Sequence, residues 1–119
     1  FSTGAIFEEI EGAVSLLKEK GVDPGVYTFP TVKPLDTEVI NNTAKDFELI
    51  VTVEEQNIVG GFGSAVAEVL AENPQKAKLL RIGLNDTYSS IVGSQKYLRS
   101  QFGIDANGIA EKIMEKING

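Results

Sequence analysis

The 119-residue sequence predicts an α/β fold in which helices cover both faces of a parallel β-sheet. Strand and helix patterns alternate along the chain, in the order helix, strand, helix, strand, helix, strand, helix, helix. Residues 49–53 form a short run rich in β-branched residues, which is typical of a strand buried on both faces. Because no internal repeat or linker divides the chain, residues 1–119 are predicted to form one domain.

The first part of the sequence predicts a helix, a strand and a second helix. An apolar stripe at three- and four-residue steps marks the first helix: Ile6, Ile10, Ala13, Val14 and Leu17. Gly21 is placed as its C-cap, and a turn at residues 23–25 precedes a strand at residues 26–29. After a loop between Pro30 and Pro34, Asp36 is predicted to cap a helix that contains Val39, Ile40 and Ala44.

The second part of the sequence contains two more strands and three more helices. A helix at residues 64–72 follows the strand at 49–53, and Asn73-Pro74 ends it. Residues 79–82 predict the next strand, and residues 95–102 predict a helix. Asp105 is predicted to cap the last helix, whose apolar face we interpret as core: Ile109, Ile113, Met114 and Ile117.

The junction after the strand at residues 49–53 is where we expect a functional surface. Its three glycines allow a tight turn, and the backbone N–H groups and the dipole of the following helix meet solvent or a partner there. The candidate interdomain or anion contacts are Glu54, Glu55, Gln56, Asn57, Gly60, Gly61, Gly63 and Ser64.

Two hypotheses compete with plain structural roles at this junction. Glu54 and Glu55 resemble a pair of acids, but adjacent strand residues point to opposite faces, so we expect one to contact a neighbouring domain and the other to be solvated. Residues 60–64 could hold a phosphate at the start of a helix, although no Lys-Ser or Lys-Thr follows as in a P-loop. Close packing of the strand on the helix is the plainer interpretation.

Composition excludes several functional classes. The net charge of −6 disfavours nucleic-acid binding, and no apolar run approaches the roughly 18 residues of a membrane span. Without histidine or cysteine the chain cannot assemble a Ser-His-Asp or Cys-His site by itself. The lack of cysteine fits a reducing compartment, so we expect a cytoplasmic protein, and the first residue, Phe1, suggests a fragment or a processed chain.

Residues 51–72, VTVEEQNIVGGFGSAVAEVLAE, closely resemble the C-terminal domain of transketolases, especially those split into two subunits. The similarity extends to residues 3–4, 30–36 (PTVKPLD), 81–86 (RIGLND) and 97–113, in the same order and at matching spacing. Related sequences commonly have His where this chain has Gln56, which offers a polar contact but no titrating group.

The resemblance implies a three-layer α/β/α domain with a mixed, mostly parallel five-stranded sheet, in which the first strand runs antiparallel to the others. Residues 1–3 would be the end of that first strand, so that the fragment begins inside the sheet. This differs from the all-parallel sheet that the strand and helix pattern alone predicts.

The resemblance also implies a function for the parent enzyme. Transketolases transfer a two-carbon ketol unit between sugar phosphates, and thiamine diphosphate and Mg bind between the two preceding domains, from different subunits of a homodimer. We therefore assign no catalytic, cofactor-binding or metal-binding residue to this chain, and we expect its partners to be those domains or a partner subunit. Deoxyxylulose-phosphate synthase and the β-subunit of a 2-oxo acid dehydrogenase share the fold and are alternatives. A stand-alone anion-binding or protein-interaction module is an alternative of another class.

Two further groups of polar residues have weaker interpretations. The segment Asn85-Asp86-Thr87-Tyr88 follows a strand end, where it either faces a partner or forms a plain polar loop. Lys76, Lys78 and Arg81 are interpreted as a solvated basic face.

Overall fold

A computed structural model describes residues 1–2, 7–29, 35–57, 61–72, 77–84 and 104–119. The described helices are α1 (Phe7–Glu19), α2 (Thr37–Asp46), α3 (Phe62–Glu72) and α4 (Ala106–Asn118), and the strands are β1 (Leu49–Asn57) and β2 (Lys78–Leu84). The predicted helix at residues 95–102, the loop at 85–88, Lys76 and Gly60 lie outside the described residues.

Strands β1 and β2 form a parallel pair, as the sequence pattern predicts. Leu49 pairs with Lys78, and the register continues without a break to Val53 and Ile82. Helix α3 joins the two strands, which is the usual crossover for parallel neighbours.

Ser2 extends the parallel pairing beyond these two strands. It forms parallel bridges with Thr28 on one side and with Val53 on the other. The antiparallel first strand that the resemblance implies is therefore wrong for these residues. The chain leaves Ser2, passes through α1 and returns at Thr28 in the same direction, as a helical crossover requires. The strand predicted at residues 26–29 is present as this single bridge at Thr28, and the five-stranded count stays a prediction.

Helices pack on both sides of the sheet. The first apolar cluster joins α1 and α4 to the strands: Ile10, Ala13, Leu17, Val53, Ile82, Ile104, Ile109 and Ala110. The second gathers residues of α2 and α3 with an aromatic residue from the bridge segment: Phe29, Ile40, Phe62 and Val66. Strand β2 contributes to both, since Leu80 packs on the first cluster and Leu79 on the second. This alternation is what a sheet buried on two faces requires.

Most of the predicted helix ends are confirmed. Asp36 accepts a hydrogen bond from the Val39 N–H at 3.1 Å, and Asp105 accepts one from the Gly108 N–H at 3.0 Å. Gly21 has φ of 83°, the left-handed conformation that favours glycine after a helix. One core prediction is wrong: Ile117 in the last turn of α4 is 47% exposed. None of the described helices has the length and apolar character needed to cross a bilayer.

Candidate functional site

The candidate site lies where the carboxyl end of β1 meets the start of α3. At this end of β1 the pairing of β1 with β2 is irregular. Val53 pairs with Ile82, but the next paired residues are Asn57 and Leu84. Strand β1 therefore has two more residues than β2 over this interval. Irregularities of this kind change the direction of side chains relative to a regular strand.

Glu54 lies within this irregular part of β1 and points into the protein. Its side chain is only 1% exposed. One carboxylate oxygen, Oε1, accepts a hydrogen bond from the Phe62 N–H at 3.0 Å, and Oε2 accepts one from the Gly63 N–H at 2.7 Å. A carboxylate at this position satisfies two N–H groups that a helix start leaves without an intrahelical acceptor, and it interacts favourably with the helix dipole.

This bidentate cap explains why α3 begins at Phe62, two residues before the helix start predicted at Ser64. The N-cap is normally the residue just before a helix, but Glu54 lies eight residues before Phe62 and nine residues before Gly63. The sequence showed Glu54 as a candidate residue and did not show this role.

The capping interaction corrects the interpretation of the two glutamates. We predicted that one would contact a neighbouring domain and the other would be solvated, yet Glu54 is bound inside its own domain. Glu55, Gln56 and Asn57 are the last three residues of β1. Their proposed contacts with a neighbouring domain stay predictions.

Gly63 confirms the close packing of strand and helix at this turn. A Cβ atom at this position would lie 2.7 Å from Thr52 Oγ1 and 3.1 Å from both Cγ and Cδ of Arg81. Contacts under 3.0 Å are essentially not seen for real Cβ atoms, so glycine is required by the approach of β1 and β2 to α3. Thr52 Oγ1 itself is buried and has no hydrogen-bond partner among the described residues.

A second side-chain contact joins α3 to β2. Arg81 Nη1 donates a hydrogen bond to Ser64 Oγ at 3.2 Å. Arg81 and Lys78 are both exposed, as predicted for the basic face. The Ser64 hydroxyl is therefore in contact with a cation from the neighbouring strand.

The hydrogen bonds of Glu54 limit where an external anion could bind at the start of α3. The Phe62 and Gly63 N–H groups, which would bind an anion at the start of α3, already donate to Glu54. An external anion would have to displace a carboxylate that is part of the same chain, or use other groups of the turn such as Gly61. Anion binding at this turn stays a prediction.

Sequence reasoning missed a second buried glutamate, Glu9 in α1. It lies off the apolar stripe and is adjacent to Glu8, but it is only 7% exposed. Its Oε2 atom accepts a hydrogen bond from the Ala106 N–H at 3.2 Å, so it helps Asp105 to cap α4. Near this contact a Cβ atom on Gly12 would lie 2.7 Å from Ala106 Cβ, which shows how closely α1 and α4 approach. The partner is 97 positions away in sequence, so no local signal could have indicated it.

Within the described part of the chain, no group of three or more acidic side chains is placed to hold a metal ion.

Comparison with known proteins identifies the family. The model of the transketolase C-terminal domain matches residues 1–109. A putative transketolase C-terminal section from Methanocaldococcus jannaschii is 42% identical over 98% of this chain and 35% of its own length. An apulose-4-phosphate transketolase subunit from Actinobacillus succinogenes is 41% identical over 89% of this chain and 34% of its own length.

Other relatives have a different name, and a solved structure shares the fold. A 1-deoxy-D-xylulose-5-phosphate synthase from Chlorobium luteolum is 41% identical over 97% of this chain but only 18% of its own length. The structure described as a split gene transketolase, inactive beta4 tetramer, superposes with a TM-score of 0.82 at 28% identity, over 96% of this chain and 36% of that one. The chain thus spans about a third or less of these relatives. Since the family model matches most of its residues, the chain belongs to the transketolase C-terminal domain family.

Proposed function

We propose that the chain is the C-terminal structural and dimerisation domain of a thiamine-diphosphate-dependent transketolase, which transfers a two-carbon ketol unit between sugar phosphates. The observation that carries the proposal is the family match over residues 1–109, together with relatives named as a transketolase C-terminal section and as one subunit of a transketolase. The chain spans about a third of those relatives, and in this proposal the cofactor and the reacting groups are held by other parts of the enzyme.

The geometry at the end of β1 supports a structural role. Glu54 is an acidic residue at this edge of the sheet, and both of its carboxylate oxygens bind the backbone of α3. It organises the turn and is not open to a substrate. In such an enzyme thiamine diphosphate with Mg performs the difficult bond chemistry, and the protein contributes binding and orientation.

The partner in this proposal is the thiamine-binding part of the enzyme, either fused to this domain or encoded separately. The A. succinogenes relative is named as a subunit, and the solved split-gene structure is described as an inactive beta4 tetramer. The segment at residues 55–57 and the turn containing Gly61 and Ser64 would contact that partner.

A second candidate function is the same domain of a 1-deoxy-D-xylulose-5-phosphate synthase. The C. luteolum relative favours it, because its identity of 41% over 97% of this chain nearly equals that of the transketolase section. The choice between them depends on the rest of the polypeptide.

The experiment is a reconstitution. The purified chain with thiamine diphosphate, Mg and sugar phosphates should give no product, whereas the chain combined with the rest of its parent enzyme should catalyse ketol transfer. Formation of 1-deoxy-D-xylulose 5-phosphate in the same mixture would select the second candidate. Turnover by the chain alone would contradict both assignments.

A ligand titration of the isolated chain tests whether it is a stand-alone anion-binding module. Inorganic phosphate, thiamine diphosphate and a sugar phosphate would be added to the isolated chain while its backbone NMR signals are followed. Shifts confined to Gly61, Gly63 and Ser64 would favour an anion-binding module, while no specific shifts are expected for a structural domain.

A further inference from the structure

Glu54 caps α3 from a distance, and this differs from an ordinary helix cap in what it connects. Asp36 accepts a hydrogen bond from the Val39 N–H, three residues further along the chain, so that cap holds only the start of its own helix. The Glu54 carboxylate accepts from the Phe62 and Gly63 N–H groups across the turn. It therefore links the end of one strand to the start of the next helix.

The burial of Glu54 shows that this link is costly to keep. The side chain is 1% exposed, and a carboxylate removed from water is stable only where hydrogen bonds replace its hydration. A serine, asparagine or aspartate directly before α3 would cap the helix at the surface without burying a charge. Capping alone therefore does not require a buried glutamate here, whereas a link between strand and helix does.

The link acts on the part of β1 where strand pairing is irregular. Between the pair Val53 and Ile82 and the pair Asn57 and Leu84, β1 has three residues and β2 has one. A regular ladder of hydrogen bonds does not define the path of a strand that has extra residues. Glu54 is the first of these three residues, and its side chain binds α3 at the point where the regular pairing stops.

Residues 55–57 are thus held at both of their ends. The hydrogen bonds of Glu54 precede them, and the pairing of Asn57 with Leu84 ends the segment. The same carboxylate holds the first turn of α3, which carries the rest of the surface that the proposed function assigns to the partner contact. One side chain therefore sets where these two pieces lie relative to each other.

A surface built from two elements binds a partner tightly when the elements already have the bound arrangement. Ordering them during association costs free energy, and the observed affinity falls in proportion to the fraction of molecules that have the competent arrangement. Without the carboxylate, the end of β1 and the start of α3 would lose the hydrogen bonds that join them directly. The competent fraction would then be smaller even in a folded domain.

We propose that Glu54 is a positioning residue for assembly of the parent enzyme: by binding the first turn of α3, it holds residues 55–57 and the turn at Gly61 and Ser64 in the arrangement that the thiamine-binding part of the enzyme binds. Glu54 itself touches neither partner nor substrate, since its side chain is buried within its own domain. This inference rests on the proposed function and adds to it the residue that shapes the partner surface.

The test measures subunit association of the complete parent enzyme by light scattering on dilution, without substrate. Glu54→Gln keeps the side-chain volume and removes one of the two acceptors. Gly12→Ala is the matched control, because it strains the packing of α1 against Ala106 of α4, on the opposite face of the sheet from α3. All proteins are compared at a temperature at which circular dichroism shows them to be folded.

We expect Glu54→Gln to raise the dissociation constant roughly tenfold or more, and Gly12→Ala to change it by less than about twofold. Glu54→Asp keeps the charge on a shorter side chain and should give an intermediate increase. Because coupling is reciprocal, amide exchange at Phe62 and Gly63 should be faster in the dissociated Glu54→Gln enzyme and should return towards the wild-type rate on assembly.

The outcomes separate this proposal from the proposed function. Equal dissociation constants for Glu54→Gln and Gly12→Ala would overturn the positioning role, even if the wild-type enzyme catalyses ketol transfer. Failure of both Glu54 variants to fold would also overturn it, since a purely structural cap explains that result. A wild-type enzyme that assembles without ketol transfer would contradict the proposed function and leave the association measurements valid.

Discussion

The replacement Glu54→Gln tests the buried cap of α3 with almost no change in side-chain volume. The carboxylate accepts one hydrogen bond on each oxygen, from Phe62 and from Gly63. A glutamine side chain has one acceptor oxygen, and its NH₂ group would face a backbone N–H donor. One buried N–H group therefore loses its acceptor, and the negative charge at the start of α3 is lost.

The magnitude follows from these two losses. An unsatisfied buried donor costs about 1–3 kcal/mol, and a favourable charge at a partly buried helix terminus contributes up to about 2 kcal/mol. We expect Glu54→Gln to lower the free energy of unfolding by about 2–4 kcal/mol. This is a large part of the roughly 5–15 kcal/mol that stabilises a typical domain.

Urea unfolding followed by circular dichroism measures the change, with the slope of free energy against urea concentration checked for constancy. Glu48→Gln is the matched control, because Glu48 is exposed just before β1 and its replacement should change stability by less than about 0.5 kcal/mol. Amide exchange at Phe62 and Gly63 should also become faster in Glu54→Gln. A loss equal to that of the control, with unchanged exchange at these two amides, would refute the reasoning.

Three other predictions concern close contacts and pH. Gly63→Ala should destabilise the chain by about 1–3 kcal/mol, because the added methyl would lie 2.7 Å from Thr52 Oγ1, and Thr52→Ala in the same chain should recover part of that loss in urea unfolding. Gly12→Ala should cost a similar amount, about 1–3 kcal/mol, through a clash at 2.7 Å with Ala106 Cβ, and Ala106→Gly should relieve it; additive effects of the two changes would contradict the contact. For the 119-residue chain with a free amino group at Phe1, the folded pKa of about 6 lies below the ordinary 8.0, so the unfolded state binds more protons between these values and stability should rise by about 2 kcal/mol from pH 6 to pH 8. Acetylation of that amino group should flatten the profile, and an unchanged slope would show that other groups cause it.

The elements with strong local signals were predicted well from the sequence. The caps at Asp36 and Asp105 lie next to the helices they begin, and the left-handed glycine at Gly21 lies next to the helix it ends. The parallel pairing of β1 with β2 followed from the alternation of strand and helix patterns. These features depend on residues a few positions apart, so the local pattern contains the needed information.

The end of α4 shows where local pattern fails even for a helix. Ile117 continues the apolar stripe of Ile109 and Ile113, but it lies in the last turn of α4 and is exposed. Periodicity identifies which side of a helix is apolar, whereas the neighbouring elements decide how far along the helix that side is covered.

The sequence by itself determined the α/β class and the order of the helices and strands that the structure describes, because both depend on short-range propensity and spacing. Only the tertiary structure decided that Glu54 and Glu9 are buried caps, that Ser2 pairs in parallel on both sides, and that Gly63 lies against Thr52. The physical reason is that a carboxylate beside a turn has the same local sequence whether it faces water or a distant backbone N–H. Its partner is chosen by the packing of whole elements, which brings together residues up to 97 positions apart.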